Sequence, residues 1–292
     1  MRIVLVAAGL ALVAGCGNPD RGGAGDRPSV VVTTNIVGDV VRSLVGDDAA
    51  VEVLMPPSAD PHDFAPSAQQ AAAMREADVL VVNGLGFEEG LLDAIGSATD
   101  DGVAVVTATD AIEPLDDDPH LFTDPARMRD AAELIADELV AQIPELDTDA
   151  FQSRVDAYLA ELDALDAEVE ELLAGIPAER RVLVTNHEVF GYFADRYDFE
   201  VLGAVIPGGS TLAEPSAADL ADLLTSIDER EVPAIFADTS SPARLADALA
   251  AEGSDVDVVE LFSESLGEEG SGGDTYLDMV RTNAERIAAA LG

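Results

Sequence analysis

The sequence predicts an α/β protein in which two parallel-sheet lobes flank one long helix. Three observations point there. Short β-branched runs alternate with helical patterns early in the chain, one long stretch near the middle carries a single apolar face, and the same alternation returns after it. At 292 residues the chain suits two domains of ordinary size. Hydrophobic residues at 48% against 25% charged residues describe a folded chain able to build a sizeable core.

In the first part, Val30–Thr34, Val51–Leu54, Val79–Val82 and Val103–Val106 read as buried strands, each a short β-branched or apolar run. Ile36–Val45, Ser67–Ala77 and Glu88–Ile95 lie between them and read as helices. Strands separated by helices argue for a parallel sheet covered on both faces.

From Thr148 to Ala174, Phe151, Val155, Tyr158, Leu162, Leu165, Val169 and Leu172 recur at a 4-3-4-3-4-3 spacing, which places them on one helix face. Asp147 or Thr148 can cap the start, and Gly175 with Pro177 ends it. Such a helix is ~40 Å long, more than one small domain requires, and is expected to act as a spine between two lobes. Beyond it, strands are expected at Val182–Thr185, Val201–Val205, Ala234–Ala237 and Val256–Leu261, with helices near Phe190–Tyr197, Ser216–Ile227, Pro242–Glu252 and Thr275–Leu291. The two halves show no residue-level repeat.

The N-terminus has a different character. Met1 and Arg2 give a minimal positive start, Ile3–Val13 is apolar, and Leu12-Val13-Ala14-Gly15-Cys16 closes the stretch with small residues. An apolar run of about a dozen residues is short of the ~20 that a spanning helix needs, and its layout is that of an export signal. Leu12 to Cys16 resembles the lipobox of bacterial lipoproteins, which implies cleavage before Cys16 and a lipid on its thiol. Gly17–Pro28 then reads as a tether. Cys16 is the only cysteine, so neither an intramolecular disulfide nor a thiolate metal cluster is available.

The formal net charge is −43, from 58 acids against 15 bases. Every base is arginine, and lysine is absent. Such a surface repels nucleic acid and excludes a DNA or RNA role. Acid excess without lysine looks like adaptation to high salt, where screening removes self-repulsion. Most of these acids are expected to form a solvated coat.

Three histidines carry the chemical signal. His62 lies in Asp60-Pro61-His62-Asp63-Phe64, His120 in Asp118-Pro119-His120-Leu121-Phe122, and His187 in Thr185-Asn186-His187-Glu188-Val189-Phe190. The first and third follow expected strands and precede helices, and the second lies in the loop after Val106. Loops at the carboxyl ends of parallel strands are where α/β folds gather ligands. Any one of these histidines alone reads as an ordinary loop or capping residue. Three imidazoles with one carboxylate make the N/O donor set that suits four-coordinate zinc.

Several stretches together resemble the metal-binding proteins of zinc and manganese ABC importers. They are Pro61-His62-Asp63-Phe64-Ala65-Pro66-Ser67, Asp118-Pro119-His120-Leu121-Phe122, Asn186 to Phe193, Glu214-Pro215-Ser216, Ile235-Phe236-Ala237-Asp238 and Leu261 to Leu266, continued by Gly273-Asp274-Thr275-Tyr276. The resemblance covers nearly all of residues 28–292. It implies two four-stranded lobes joined by a rigid backbone helix, with the metal in the cleft between them. Domain bounds follow: 1–15 signal peptide, 16–28 lipidated Cys16 and tether, 29–147 first lobe, 148–175 linking helix, 176–292 second lobe.

Carried over by the resemblance, the metal ligands are His62 and His120 from the first lobe, and His187 and Glu264 from the second. The family usually has Asp where Glu264 stands, so Glu188 and Asp274 are reserve candidates. Histidine rather than glutamate at the third position favours Zn2+ over Mn2+. The family's partner is an ABC transporter permease. A monomer is expected, held outside the cytoplasm on the membrane by the lipid on Cys16.

Other classes fit less well. His187-Glu188-Val189-Phe190-Gly191 begins like the His-Glu-x-x-His helix of zinc proteases, but Gly191 replaces the second histidine. A hydrolase would also need an open coordination position and a general base. A surface adhesin or an organic-solute binder on the same scaffold is the remaining alternative. A solute binder should line its cleft with aromatics or an arginine clamp, whereas tryptophan is absent and aromatics make up 4%.

Overall fold

The computed structural model describes residues 27–241, 244–252 and 256–292. The expected signal segment, Cys16 and most of the tether lie outside the described residues.

The first sheet contains β1 (Ser29–Val32), β2 (Ala50–Val53), β3 (Val79–Val82) and β4 (Ala104–Thr107), in the order β2-β1-β3-β4. All its pairings are parallel. Helix α1 (Asn35–Val45) connects β1 to β2, α2 (Ala68–Glu76) connects β2 to β3, and α3 (Leu92–Asp100) connects β3 to β4. Helices α4 (Pro125–Gln142) and α5 (Asp149–Leu173) then lead to the second sheet. That sheet repeats the arrangement with β5 (Val182–Thr185), β6 (Glu200–Ala204), β7 (Ala234–Asp238) and β8 (Asp257–Leu261), ordered β6-β5-β7-β8 and again parallel. Its helices are α6 (Gly191–Tyr197), α7 (Ala217–Arg230), α8 (Arg244–Glu252) and α9 (Tyr276–Leu291).

The predicted strands and helices are present, with ends shifted by local chemistry. β1 stops at Val32, and Thr34, still extended, caps α1 with its hydroxyl, which accepts from the Val37 N–H. Ser67 and Gln70 form a reciprocal capping box at α2, as Ser216 and Asp219 do at α7. The helix expected over Glu88–Ile95 is instead a short 3-10 turn at Glu89–Leu91 followed by α3. Glu88 is fully buried and turns back toward the sheet, where it accepts from Thr33 Oγ1 at 2.6 Å and the Asn83 N–H at 2.6 Å.

Sequence reading missed α4 altogether. Its inward face is mostly small, with Ala131, Ala132 and Ala136 among Met128, Ile135 and Leu139, so its apolar period is faint. Its start was nevertheless legible. Asp124 accepts from the N–H groups of Ala126 and Arg127, and Pro125 occupies the first helical position.

The spine helix α5 runs 25 residues, about 37 Å, from a Thr148 cap. Phe151, Val155, Tyr158, Leu162, Leu165 and Val169 are buried as expected, but Leu173 takes the last inward place and Leu172 is only partly buried. A 3.5-residue repeat drifts ~20° per heptad around a straight helix, which accounts for the change of residue. One apolar core surrounds α5 and extends into both halves, from Val30, Val40 and Ile135 through Leu162 to Leu183, Phe236 and Ile287. Smaller clusters cover the outer faces, Val31, Leu54 and Leu80 on the first sheet and Val184, Ile235 and Ala237 on the second.

Candidate metal centre

His62 and His120 share a local device. In both Asp-Pro-His stretches proline has no N–H, and the aspartate carboxylate accepts instead from the histidine N–H, at 2.9 Å for Asp60 to His62 and 2.9 Å for Asp118 to His120. This turn sets each ring at the carboxyl end of the first sheet, after β2 and β4. Asp118 also reaches the His120 ring, 2.7 Å from Nδ1, whereas His62 Nδ1 is 3.0 Å from Glu89 Oε1. A partner on Nδ1 fixes the ring and leaves Nε2 to point inward.

His187 follows β5, and its carbonyl accepts from Thr185 Oγ1 at 2.5 Å. Glu264 follows β8 in a loop tied down on both sides. Ser263 Oγ donates to the buried Asp238 at 2.6 Å, the Phe262 N–H donates to Asn283 Oδ1 at 2.9 Å, and the Leu266 N–H donates to Asn35 Oδ1 at 2.8 Å. Burial, then repulsion from Glu264, raises the Asp238 carboxyl above its usual range.

The four side chains converge. One oxygen, Glu264 Oε1, lies 3.2 Å from His62 Nε2, 3.0 Å from His120 Nε2 and 2.8 Å from His187 Nε2. His120 Nε2 is close but not aligned for a hydrogen bond. All four residues are at most 3% exposed, and a set of one donor atom from each lies within 4.8 Å. Glu264 Oε2 and His187 Nδ1 are buried without a protein partner. Phe87 packs edge-on against His62 and His120 at 5.4 and 5.5 Å between ring centres, and Phe122 against His120 at 5.9 Å, forming a dry wall.

The electrostatics match a cluster that stores protons. Burial disfavours a charged His120, but the carboxylates of Asp118 and Glu264 outweigh it and raise the imidazole to about 9. His62 is raised as well, with burial overcome chiefly by Glu264. Burial alone would push Glu264 up, yet the charge of His187, the hydrogen bonds of His62 and His187 and the close His120 imidazole hold it well below the usual carboxylate range. Three inward nitrogens and one ionised oxygen in a dry site have the chemistry of a divalent cation's coordination shell.

The reserve carboxylates stand apart from this set. Glu188 is exposed, and Asp274 is half-buried with its carboxylate 3.4 Å from the Gly270 N–H. Sequence reading did not single out Phe87 or Glu89, met the buried Asp238 only as the end of the Ile235-Phe236-Ala237-Asp238 stretch, and gave Asp60 and Asp118 no part in orienting the histidines. The doubled Asp-Pro-His stretch was the signal for the last two.

Donors gathered from the carboxyl edges of two parallel sheets across one spine helix define a two-lobed binding protein for a metal ion. The chain belongs to the family of the periplasmic component A of zinc-uptake complexes, whose model matches residues 30–290. It is 34% identical to the zinc-binding protein TroA of Treponema pallidum over 92% of this chain and 90% of that protein. It is 29% identical to the manganese-binding lipoprotein MntA of Halalkalibacterium halodurans, over 96% and 94% of the two chains. The solved structure of TroA from Treponema pallidum superposes with a TM-score of 0.85, covering 91% of this chain and 99% of TroA. A crystal structure of ZnuA superposes at 0.80 with 28% identity, covering 91% and 100%. The family is one of transport components rather than enzymes.

Proposed function

We propose that this chain is the extracytoplasmic capture subunit of a metal-importing ABC transporter, and that His62, His120, His187 and Glu264 ligate its cargo, Zn2+. The observation that carries the reading is the convergence of three imidazole Nε2 atoms on one buried carboxylate oxygen. A cation placed among them would replace the stored protons and give Glu264 Oε2 a partner. Three nitrogen donors with a single carboxylate suit zinc better than the harder Mn2+, which is the second reading because relatives named for manganese also match.

Donor atoms within 4.8 Å of one another frame a space for one ion, which argues against an organic solute. A hydrolase would need a general base beside the metal, and Glu188, its sequence candidate, is exposed and outside the donor set. No catalytic activity is assigned. A lipid on Cys16 would hold the subunit, as a monomer, beside its permease, and relatives described as lipoproteins support that placement. Elemental analysis of protein purified without added metal tests the function: close to one zinc per chain is expected. Protein that carries neither zinc nor manganese and takes up neither on titration would reject it.

A further inference from the structure

Three of the four ligand loops are held by a side chain from the opposite half of the molecule. Thr211, in the loop after β6, donates to Asp60 Oδ2 at 2.7 Å, while the other oxygen of Asp60 accepts the His62 N–H. Tyr192 on α6 is fully buried. Its hydroxyl donates to the Asp118 carbonyl at 2.8 Å and accepts from the Leu115 N–H at 3.2 Å. It therefore grips the loop whose Asp118 carboxylate fixes His120 at backbone and ring.

The third contact runs the other way. Asn35, at the start of α1, donates to the Pro56 carbonyl at 2.8 Å and to Ser265 Oγ at 2.7 Å, and accepts from the Leu266 N–H at 2.8 Å. Ser265 and Leu266 directly follow Glu264. Each half thus braces donors rooted in the other, and His187 stands at the entrance of the helix that carries Tyr192.

We propose that Asn35, Tyr192 and Thr211 are cross-cleft latches, positioning residues that tie closure of the cleft to assembly of the donor set and so set the rate at which the captured ion leaves. The inference rests on the ligand assignment proposed above. Parting the ligand loops across the cleft breaks these hydrogen bonds along with the metal bonds, whereas the incoming ion first meets a cleft whose loops have already parted and in which they are already broken. Losing a latch therefore raises the population of the open state and speeds release, with little effect on association. One hydrogen bond of ordinary net strength corresponds to about two- to tenfold in that population.

The test uses the full chain loaded with zinc, with release followed by stopped flow into excess chelator and the donor set read from the absorption spectrum of the cobalt(II)-substituted protein. Thr211→Val keeps the side chain's shape on a partly exposed loop, so folding is not at stake, and Tyr192→Phe removes only a hydroxyl. Both are expected to release zinc about two- to tenfold faster than the parent with an unchanged cobalt spectrum, and Thr211→Ser is expected to restore the parent rate. Release at the parent rate in both variants, a Thr211→Ser variant as fast as Thr211→Val, or an altered cobalt spectrum would overturn the latches while leaving the metal site standing. A parent chain that binds no metal would overturn the proposed function, and the latches with it.

Discussion

Replacing Glu264 by alanine removes the only carboxylate of the donor set and leaves three buried imidazoles to hold a doubly charged ion. Glu264 is 2% exposed, and its Oε1 is within 3.2 Å of all three Nε2 atoms. Breaking a buried charge pair by deleting one partner costs about 3–5 kcal/mol, and each 1.4 kcal/mol is tenfold in affinity, so zinc binding is expected to weaken by about two to four orders of magnitude. Deleting Glu264 also removes the charge that helps hold protons on His62 and His120, which reduces proton competition and favours the lower half of that range near neutral pH. Glu264→Asp retains an oxygen donor and should keep most of the affinity. Glu188→Ala and Asp274→Ala should change it little, because the first is exposed and the second lies outside the cluster. Competition titration against a zinc chelator at fixed pH measures the series. Glu264→Ala binding zinc like the parent, with Glu188→Ala or Asp274→Ala impaired, would refute the assignment.

Apparent zinc affinity should keep rising from about pH 6.5 to about 9 instead of levelling off just above the free imidazole value of ~6.5, because binding must expel the proton that Asp118 and Glu264 hold on His120. In the metal-free protein the sign reverses: the stability contributed by charged His120 is fully present below about pH 6.5 and is lost as pH rises through about 9. Chelator competition across that window checks the first trend, and a plateau beginning near pH 7 would contradict it. Added sodium chloride should raise the melting temperature of the metal-free chain, since a net charge of −43 repels itself until salt shortens the screening length from ~30 Å at 0.01 M to ~3 Å at 1 M; a flat or falling melting temperature would argue that the acids are already paired. Cys16→Ser should move the protein from the membrane fraction to the soluble fraction or block its processing, and unchanged membrane recovery would reject the lipid anchor.

Strands buried on both faces leave a strong mark, and runs such as Val79–Val82 were legible for that reason. Helix α4 was not, because alanines fill its inward face and give little contrast with its polar side. The three histidines were visible through their scarcity, while Glu264 emerged only through family resemblance, since one acid among 58 carries no signal of its own. What surrounds the donors was invisible for a different reason. Asn35 meets Leu266 across 231 positions of sequence and Tyr192 meets Asp118 across 74, and no local period encodes such meetings. Phe87 and Glu89 reach His62 from the segment after β3, in a stretch that reads as the start of an ordinary helix.

The single apolar core around α5 has a mechanical consequence. Two lobes with private cores could swing about a flexible strap, each remaining intact as the other moved. Here Leu162 and its neighbours on α5 pack among residues of both sheets' surroundings, so a large rotation of one lobe would tear the shared interior and expose apolar surface. The chain is therefore built as a stiff frame that carries the ligand loops at its rim. An ion would leave through short displacements of those loops, and neither half, severed at the spine, would keep its interior dry.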